Sequence, residues 1–234
     1  MTEPNSIEPL PASVASAAVT HLGWRYLLGT LCTSVPVRSL SEALRVATTA
    51  TEVCAEPADA HLRIDLRSDR VELSLQTRSI GDLTELDTVL AGRISQSLTG
   101  LPVDTGCATS PQPSRPVQSV EIAIDALDIP AIRPFWKAVL AYQDEPGHSA
   151  PDDPIVDPVG QLPAVWFQQM TAPRPDRNRI HLDVTVAHDQ AEARVAAALA
   201  AGGVLVNDDQ ARAFWVLADA EGNEACVCTW LDRE

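Results

Sequence analysis

A proline-rich stretch near the middle of the chain limits its possible folds more than any other feature. Residues 102–117 carry four prolines among Ser, Thr, Gly and Gln residues. Because proline fixes φ and removes a backbone donor, such a stretch neither continues a helix nor joins a central strand. Charge also differs across it, with 12 acids before residue 102 and 19 acids from residue 117 onward. We therefore predict two domains, residues 12–101 and 118–234, joined by a semi-rigid linker at 102–117.

Charge and hydropathy exclude several kinds of partner. The net charge is −15 with a pI of about 4.6, and Lys137 is the one lysine. A surface this acidic repels nucleic acid and anionic lipid, so no nucleic-acid partner is expected. The sequence contains no run of about 18 apolar residues, so no membrane span is predicted. The first residues lack the basic and apolar pattern of a signal peptide. The five cysteines are an odd number without the spacing of a zinc site, so reduced thiols are expected. Both observations predict a cytoplasmic location.

The first domain has the pattern of a small α+β fold. Apolar residues recur at helical spacing over residues 40–54 and again over 83–98. Between these helices, residues 62–66 and 71–75 alternate between apolar and polar with a period of two, which is typical of strands. The order helix, strand, strand, helix predicts a small antiparallel sheet with helices on one face.

The second domain repeats one pattern. A strand followed by a helix and further strands begins near residue 120 and begins again near residue 180, a repeat of about 55 residues. Helices are predicted at 130–140 and 190–201, and Gly202-Gly203 ends the second one. This order predicts an α+β domain made of paired βαβββ units.

Residues 74–91 join a strand, a glycine-containing turn and a helix. Thr84 is followed three residues later by Asp87, just before an apolar run. This pattern predicts the N-terminus of a helix with a side-chain cap. The segment resembles the strand–turn–helix of pterin-4a-carbinolamine dehydratases, which reads roughly Leu-x-Thr-His-x-x-Gly-Gly-Leu-Thr-x-x-Asp. Here Arg78 stands at the histidine and Asp82 at the second glycine.

That resemblance implies a lyase that dehydrates a 4a-hydroxytetrahydropterin such as 4a-hydroxytetrahydrobiopterin. The family's His-His pair falls on Ala60 and His61, so one of three family histidines remains. Imidazole suits the proton transfers because it exchanges protons near neutral pH. Guanidinium stays protonated, so Arg78 is expected to position the substrate while His61 acts as acid and base. Asp87 matches the family's acid on the following helix and is expected in the substrate-binding site.

Three motifs of the second domain resemble another family. Phe135-Trp136, Asn178-Arg-Ile-His181-Leu-Asp183 and Gly222-Asn-Glu-Ala-Cys226 follow in the order found in glyoxalase-like domains of the vicinal oxygen chelate superfamily. The resemblance covers about residues 119–230. It implies the paired βαβββ fold with a small-molecule site in a curved sheet.

Metal-dependent members of that superfamily place ligands on the first and last strands of each repeat. Those positions correspond here to Glu121, Gln168 or its neighbour Gln169, His181 and Cys226. Such side chains can bind a divalent ion. The set nevertheless differs from the two His and two Glu of nickel or zinc glyoxalase I, so no metal and no other cofactor is expected.

A metal-free pocket for a small organic molecule is the favoured interpretation of the second domain, with Glu121, Trp166 and His181 as its polar and aromatic lining. His181 is equally compatible with a core histidine bonded to a neighbouring strand. Cys226 is equally compatible with the buried face of a closing strand.

Three hypotheses on function remain open. The first is dehydration of a reduced pterin, impaired by the loss of two histidines. The second is a pair of catalytically lapsed domains that bind ligands or other proteins. The third places the activity in the glyoxalase-like half, as a lyase, a dioxygenase or a drug-binding protein. Resemblance to both families also implies a homodimer.

Overall fold

The computed structural model describes residues 8–99, 117–173, 176 and 180–232. The chain divides into two compact units, Met1–Ser119 and Val120–Glu234. Nearly all of the linker predicted at 102–117 lies outside the described residues. Among the described residues, no helix is long and apolar enough to cross a bilayer.

The first unit is a four-stranded antiparallel sheet with helices packed on it. Its strands lie in the order β1-β2-β4-β3. In chain order the elements are α1 (Ala12–Val19), a 3-10 turn (Thr20–Leu22), β1 (Arg25–Leu27), β2 (Thr30–Pro36), α2 (Leu40–Cys54), α3 (Ala58–His61), β3 (Leu62–Leu66), β4 (Arg70–Leu75) and α4 (Glu85–Thr99).

The helix predicted at 40–54 is confirmed as α2. Its start is set by Ser39, whose hydroxyl accepts a hydrogen bond from the Glu42 backbone N–H at 3.2 Å. The Glu42 carboxylate in turn accepts from the Arg38 backbone N–H at 2.8 Å, so two N–H groups outside the helical ladder are satisfied. The apolar faces of α2 and α4 are buried with the inner residues of β2 and β4 in one core.

The predicted order of elements in the first unit is incomplete. Strands β3 and β4 are confirmed, but α1, β1 and β2 precede them and were not predicted. Strand β2 reads Thr-Leu-Cys-Thr-Ser-Val-Pro, which lacks a regular apolar alternation, and β1 has three residues. Strand β2 forms because it pairs with β4, and β1 forms because it pairs with β2, which is a tertiary effect that no local pattern records.

The second unit consists of two βαβββ repeats, as predicted. Each repeat forms its own four-stranded sheet, ordered β5-β8-β7-β6 and β9-β12-β11-β10. The elements are β5 (Glu121–Ala126), α5 (Ile129–Leu140), β6 (Gln143–Asp144), β7 (Ile155–Val156), β8 (Ala164–Gln169), β9 (Leu182–Thr185), α6 (Ala191–Ala200), β10 (Val204–Asn207), β11 (Phe214–Ala218) and β12 (Glu224–Cys228).

The two repeats share one topology and one core. In each, the first strand pairs in parallel with the last, β5 with β8 and β9 with β12. Helices α5 and α6 pack closely, since a Cβ on Gly203 would lie 2.4 Å from the Phe135 ring. Arg194 of α6 also donates to the Val139 carbonyl of α5 at 3.0 Å. Glycine at position 203 is thus required by the close approach of the backbone to Phe135.

A buried carboxylate ties the last hairpin of the second repeat to helix α5. Asp219, which is 2% exposed, accepts from the indole N–H of Trp136 at 2.9 Å. It also accepts from the backbone N–H groups of Glu221 and Asn223, each at 2.9 Å, and from the Asn223 side chain at 2.8 Å. Glu221 accepts from the backbone of Leu127 and Asp128 just before α5. The Asp219 and Glu221 carboxylates, which precede the Gly-Asn-Glu motif, therefore link the second repeat to the first.

We expect Asp219→Ala to lower the free energy of unfolding of the second unit by about 2–4 kcal/mol, because several buried donors lose their acceptor. Urea unfolding of the full chain followed by tryptophan fluorescence measures this, since four of the five tryptophans follow residue 120. The exposed Asp152, changed to Ala, is the control. Equal losses in the two variants would contradict the role given to Asp219.

Candidate functional site

A buried histidine–carboxylate pair lies where α3 meets α4 in the first unit. His61 is the last residue of α3, directly before β3, and Asp87 lies in the first turn of α4. The His61 Nδ1 and an Asp87 carboxylate oxygen are 2.8 Å apart. Asp87 has no exposed surface and His61 is 9% exposed. The carboxylate therefore fixes the orientation of the imidazole ring.

Two threonines supply the other hydrogen bonds to the Asp87 carboxylate. Thr77 donates its hydroxyl to one oxygen at 2.7 Å, and the Thr84 backbone N–H donates to the same oxygen at 2.8 Å. The second bond is the acid's half of the predicted capping interaction. The hydroxyls of Thr77 and Thr84 are also bonded to each other at 2.9 Å. One carboxylate thus serves both as helix cap and as support for His61.

This burial corrects the expectation that Asp87 binds substrate. A side chain with no exposed surface reaches a ligand only through its neighbours. The group that Asp87 does contact at this site is the His61 ring, whose orientation it fixes. The hydrogen bonds of the His61 ring are made at Nδ1. Among the described residues, every fully buried side-chain nitrogen or oxygen has a hydrogen-bond partner, so an unbonded Nε2 is not fully buried. It therefore keeps some exposed surface, although the residue as a whole is buried.

Ala60, His61 and Arg78 meet at one corner of the sheet. The chain after β4 continues alongside α3, since Gln76 N–H donates to the His61 carbonyl at 3.0 Å and Arg78 N–H to the Ala60 carbonyl at 3.2 Å. The exposed Arg78 side chain donates to the Leu62 carbonyl at 2.8 Å. The positions that correspond to the family's three histidines are therefore neighbours in the structure.

Asp82, at the position of the family's second glycine, fits the turn without strain. Gly81 has φ of +65°, whereas Asp82 is not among the described residues with positive φ. Its carboxylate accepts from the Leu83 N–H at 2.7 Å. Gln76 fixes the turn further by donating to the Gly81 carbonyl at 2.8 Å and to the Gly29 carbonyl at 3.1 Å. The exchange of glycine for aspartate leaves the local fold intact.

A separate cleft of about 500 Å³ lies between α4 and the β1–β2 side of the first unit. Its lining includes Trp24, Thr33, Gly92 and Ser95 but neither His61 nor Arg78. The Trp24 indole N–H donates to the Ser95 hydroxyl at 2.9 Å. This cleft is distinct from the histidine–carboxylate pair.

In the second unit, Glu121 and Trp166 share the sheet face that lies opposite the helices. Glu121 pairs with Ala164 and Trp166 pairs with Ala123, while the alternate residues Ile124 and Phe167 belong to the core. Glu121 is exposed and Trp166 is half-buried. Both are accessible on one face of the β5–β8 pair.

The four positions that the resemblance offers as metal ligands do not form one set. Gln168 pairs with Asp125, which is four residues beyond Glu121 on β5. Four residues of a strand span about 13 Å, so Glu121 and Gln168 are too far apart to bind one ion. Gln169 donates to the Leu127 and Met170 carbonyls, which makes it a structural residue.

His181 and Cys226 are brought together on the other sheet, with Asp183 between them. The possible ligand atoms of these three residues all lie within 4.8 Å of one another. The His181 side chain is 49% exposed, so it is not the core histidine that was one of the expectations. Cys226 is buried, as one interpretation predicted. Asn178 and Arg179 of the same motif lie outside the described residues.

Asp183 is the residue of this cluster that the ligand mapping missed. It belongs to the quoted His-x-Asp motif, and alternation along β9 places it on the same side as His181. What brings it to Cys226 is the parallel register of β9 with β12, which pairs the two residues directly. Burial, together with the neighbouring Asp183 carboxylate, raises the pKa of the Cys226 thiol to about 11.

Sequence comparison assigns each unit to a class. Residues 8–97 match the family model of pterin 4 alpha carbinolamine dehydratase, and residues 121–228 match that of the glyoxalase-like domain. The chain therefore carries a pterin-dehydratase-like domain followed by a glyoxalase-like domain of the vicinal oxygen chelate type. A search of curated proteins finds no match.

Solved structures resemble one domain or the other. The transcriptional coactivator/pterin dehydratase from Brucella melitensis is 26% identical, and the match covers 38% of this chain and 98% of that one with a TM-score of 0.35. A glyoxalase/bleomycin resistance protein/dioxygenase family enzyme from Burkholderia phytofirmans PsJN is 17% identical over 47% of this chain and 95% of that one, with a TM-score of 0.34. The domain assignment rests on the family models.

Proposed function

We propose that the first domain binds a 4a-hydroxytetrahydropterin and dehydrates it slowly, with His61 as the one acid–base group. The observation that carries this proposal is the bond of 2.8 Å between His61 and the buried Asp87. A carboxylate behind an imidazole orients the ring and stabilises its protonated form. Because Nδ1 is bonded to Asp87, Nε2 is the ring nitrogen left to meet the substrate.

The proposed reaction needs one proton to leave a nitrogen and one to reach a hydroxyl group. In the carbinolamine, the proton of N5 departs as the C4a=N5 double bond forms, and the C4a–O bond breaks as the hydroxyl takes a proton and leaves as water. No electron transfer is involved. A single imidazole can accept the first proton at Nε2 and deliver one to the leaving oxygen, although less efficiently than two separate groups.

Arg78 supplies charge and hydrogen bonds in this proposal. Its guanidinium cannot take up a proton and therefore cannot replace a catalytic imidazole. The residue is exposed, and one guanidinium nitrogen donates to the Leu62 carbonyl. The other N–H groups of the guanidinium can donate to an oxygen or to the electron-rich edge of a pterin. This role fits a site that still binds its ligand but turns it over slowly.

We expect His61→Gln to lower the dehydration rate at least about 100-fold, to that of the reaction in solution, because acid–base catalysis is lost. The decay of a freshly generated carbinolamine in the presence of the full chain measures this. His148→Gln, at an exposed histidine of the second unit, is the control and should keep the native rate. A native protein no faster than the reaction in solution would contradict the enzymatic proposal. It would support ligand binding without turnover, the alternative that the replaced histidines at positions 60 and 78 favour.

For the glyoxalase-like domain we propose a site for a small organic molecule on the open face of its sheets. Glu121 and Trp166 would supply a carboxylate and an aromatic surface on one sheet, and His181 a polar group on the other. Fluorescence titration of the full chain against aromatic compounds that carry amine or hydroxyl groups, repeated with Trp166→Leu, tests it. Binding unaffected by that change would place the ligand elsewhere.

A further inference from the structure

The cleft between α4 and the β1–β2 side of the first unit has no part in the functions proposed above. Its volume is about 500 Å³, and neither His61 nor Arg78 is among its described lining residues. Sites for small molecules in proteins usually measure about 300–1,000 Å³. The cleft therefore has the size of a ligand site of its own.

The charge of the lining differs in sign from that of the chain. Among the lining residues that the structure describes, His21 and Arg25 are basic and none is acidic. The chain as a whole has 32 acidic residues and a net charge of −15. A concave surface that carries basic groups and no carboxylate attracts an anion, which most of an acidic surface repels.

Arg25 is held at the cleft by backbone carbonyls. Its Nη1 donates to the Thr20 carbonyl at 3.1 Å and to the Trp24 carbonyl at 2.8 Å, and both of these residues also line the cleft. A guanidinium has five N–H donors and stays protonated, so other N–H groups of Arg25 can bond a carboxylate. Because the two carbonyls fix the group before a ligand arrives, little order has to be gained on binding.

Strand β2 adds backbone groups to the lining. Its pairing with β1 extends from Thr30 to Cys32, whereas its pairing with β4 continues to Pro36. The segment from Thr33 to Val35 lines the cleft and is paired with a described strand on one side only. Backbone groups along such an edge can hydrogen-bond a bound molecule.

A glycine of α4 leaves space in the cleft. Gly92 lies inside this helix, where glycine is less favourable than alanine. A Cβ added there would meet no atom of the described residues within 4 Å, apart from its chain neighbours and the backbone of its own helix. Packing therefore does not explain this glycine, whereas space for a ligand does, because Gly92 lines the cleft.

We propose that the cleft binds a small organic carboxylate, with the Arg25 guanidinium bonded to the carboxylate and the apolar part of the ligand beside Gly92. Leu22 and Leu98 also line the cleft and offer an apolar surface to that part. This site goes beyond the function proposed for either domain and does not depend on it.

Calorimetric titration of the full chain with 2-naphthoate tests the proposal. We expect one equivalent to bind. Acetate, which lacks the apolar part, and 2-naphthamide, which lacks the charge, should each bind at least about tenfold more weakly.

Two arginine variants test the carboxylate contact. Arg25→Gln should weaken 2-naphthoate binding at least about tenfold, because a charged donor is lost. Arg93→Gln is the matched control and should keep the native affinity, because Arg93 is exposed and lies outside the described lining.

Two variants of Gly92 test the space beside α4. Gly92→Leu places a side chain in the cleft and should weaken 2-naphthoate binding at least about tenfold. Gly92→Ala should increase the protection of α4 amides against hydrogen exchange, because alanine is more favourable in a helix and the fold does not need the glycine. Circular dichroism checks that each variant folds.

Three results would overturn the proposal. The first is no binding of 2-naphthoate to the native chain, and the second is equal affinity for 2-naphthoate and 2-naphthamide. The third is native affinity in either Arg25→Gln or Gly92→Leu, which would place the ligand outside the cleft.

Discussion

The double variant Ala60→His, Arg78→His is expected to dehydrate a 4a-carbinolamine about 10²–10⁴ times faster than the native chain, because each added imidazole supplies acid–base catalysis. The structure places these two positions together, with the Arg78 N–H bonded to the Ala60 carbonyl at 3.2 Å. His61 follows Ala60 directly. Restored side chains would therefore surround one substrate instead of lying at separate places on the sheet.

Two further variants make this expectation specific. Adding His61→Gln to the double variant should remove most of the gained rate, since the three groups act as one unit. Exchange of the exposed Ser79 for histidine should gain nothing, because its position is not one of the three. A double variant no faster than the native chain would show that this corner no longer holds a pterin in a reactive position.

The replacement Asp87→Ala is expected to lower the free energy of unfolding of the first unit by about 3–5 kcal/mol. The carboxylate is fully buried and accepts from Thr77, from the Thr84 backbone N–H and, at 2.8 Å, from His61. Alanine leaves these donors without an acceptor and removes the cap of α4. Both losses act on the same cooperative unit.

Hydrogen exchange separates this effect from events in the second unit. Amides of the first turns of α4 should lose protection in Asp87→Ala, whereas those of β9 and β12 should not change. Asp65→Ala is the control, because that exposed carboxylate bonds with the exposed Arg67 and contributes little to stability. Equal protection of α4 in native and Asp87→Ala protein would contradict the role of the carboxylate.

We also expect Asp87 to affect catalysis through His61, which a purely structural role would not do. Asp87→Asn keeps the size of the side chain but turns an amide N–H₂ toward donors, which favours the wrong tautomer of His61. The rate constant at saturating pterin should fall and its pH profile should change, while pterin affinity stays near native. Asp87→Glu should restore part of the rate.

Regular patterns let the sequence predict much of the fold. Helix α2 and strands β3 and β4 follow strict periodicities and were found where predicted. The repeat in the second domain predicted two βαβββ units, and the structure adds that both have the same strand order. Strands β1 and β2 were not predicted because pairing between strands, β2 with β4 and β1 with β2, stabilises them and no local pattern records it.

The candidate sites were less predictable because they depend on register and burial. His61 and Asp87 could be found by motif, but only the structure shows that Asp87 lies beneath His61 with no exposed surface. Asp183 is part of the His-x-Asp motif that the sequence showed. Its position opposite Cys226 follows only from the pairing of β9 with β12. Glu121 and Gln168 matched by spacing, and their strand register separates them.

Calorimetric titration of the full chain with a stable reduced-pterin analogue tests the central claim most directly, which is that the corner around His61 and Arg78 is a pterin site. We predict micromolar, one-to-one binding by the native chain, weakened at least about tenfold in Arg78→Ala, because a charged hydrogen-bond donor is lost. Binding heats absent from the native chain, or unchanged in Arg78→Ala and His61→Ala alike, would contradict it.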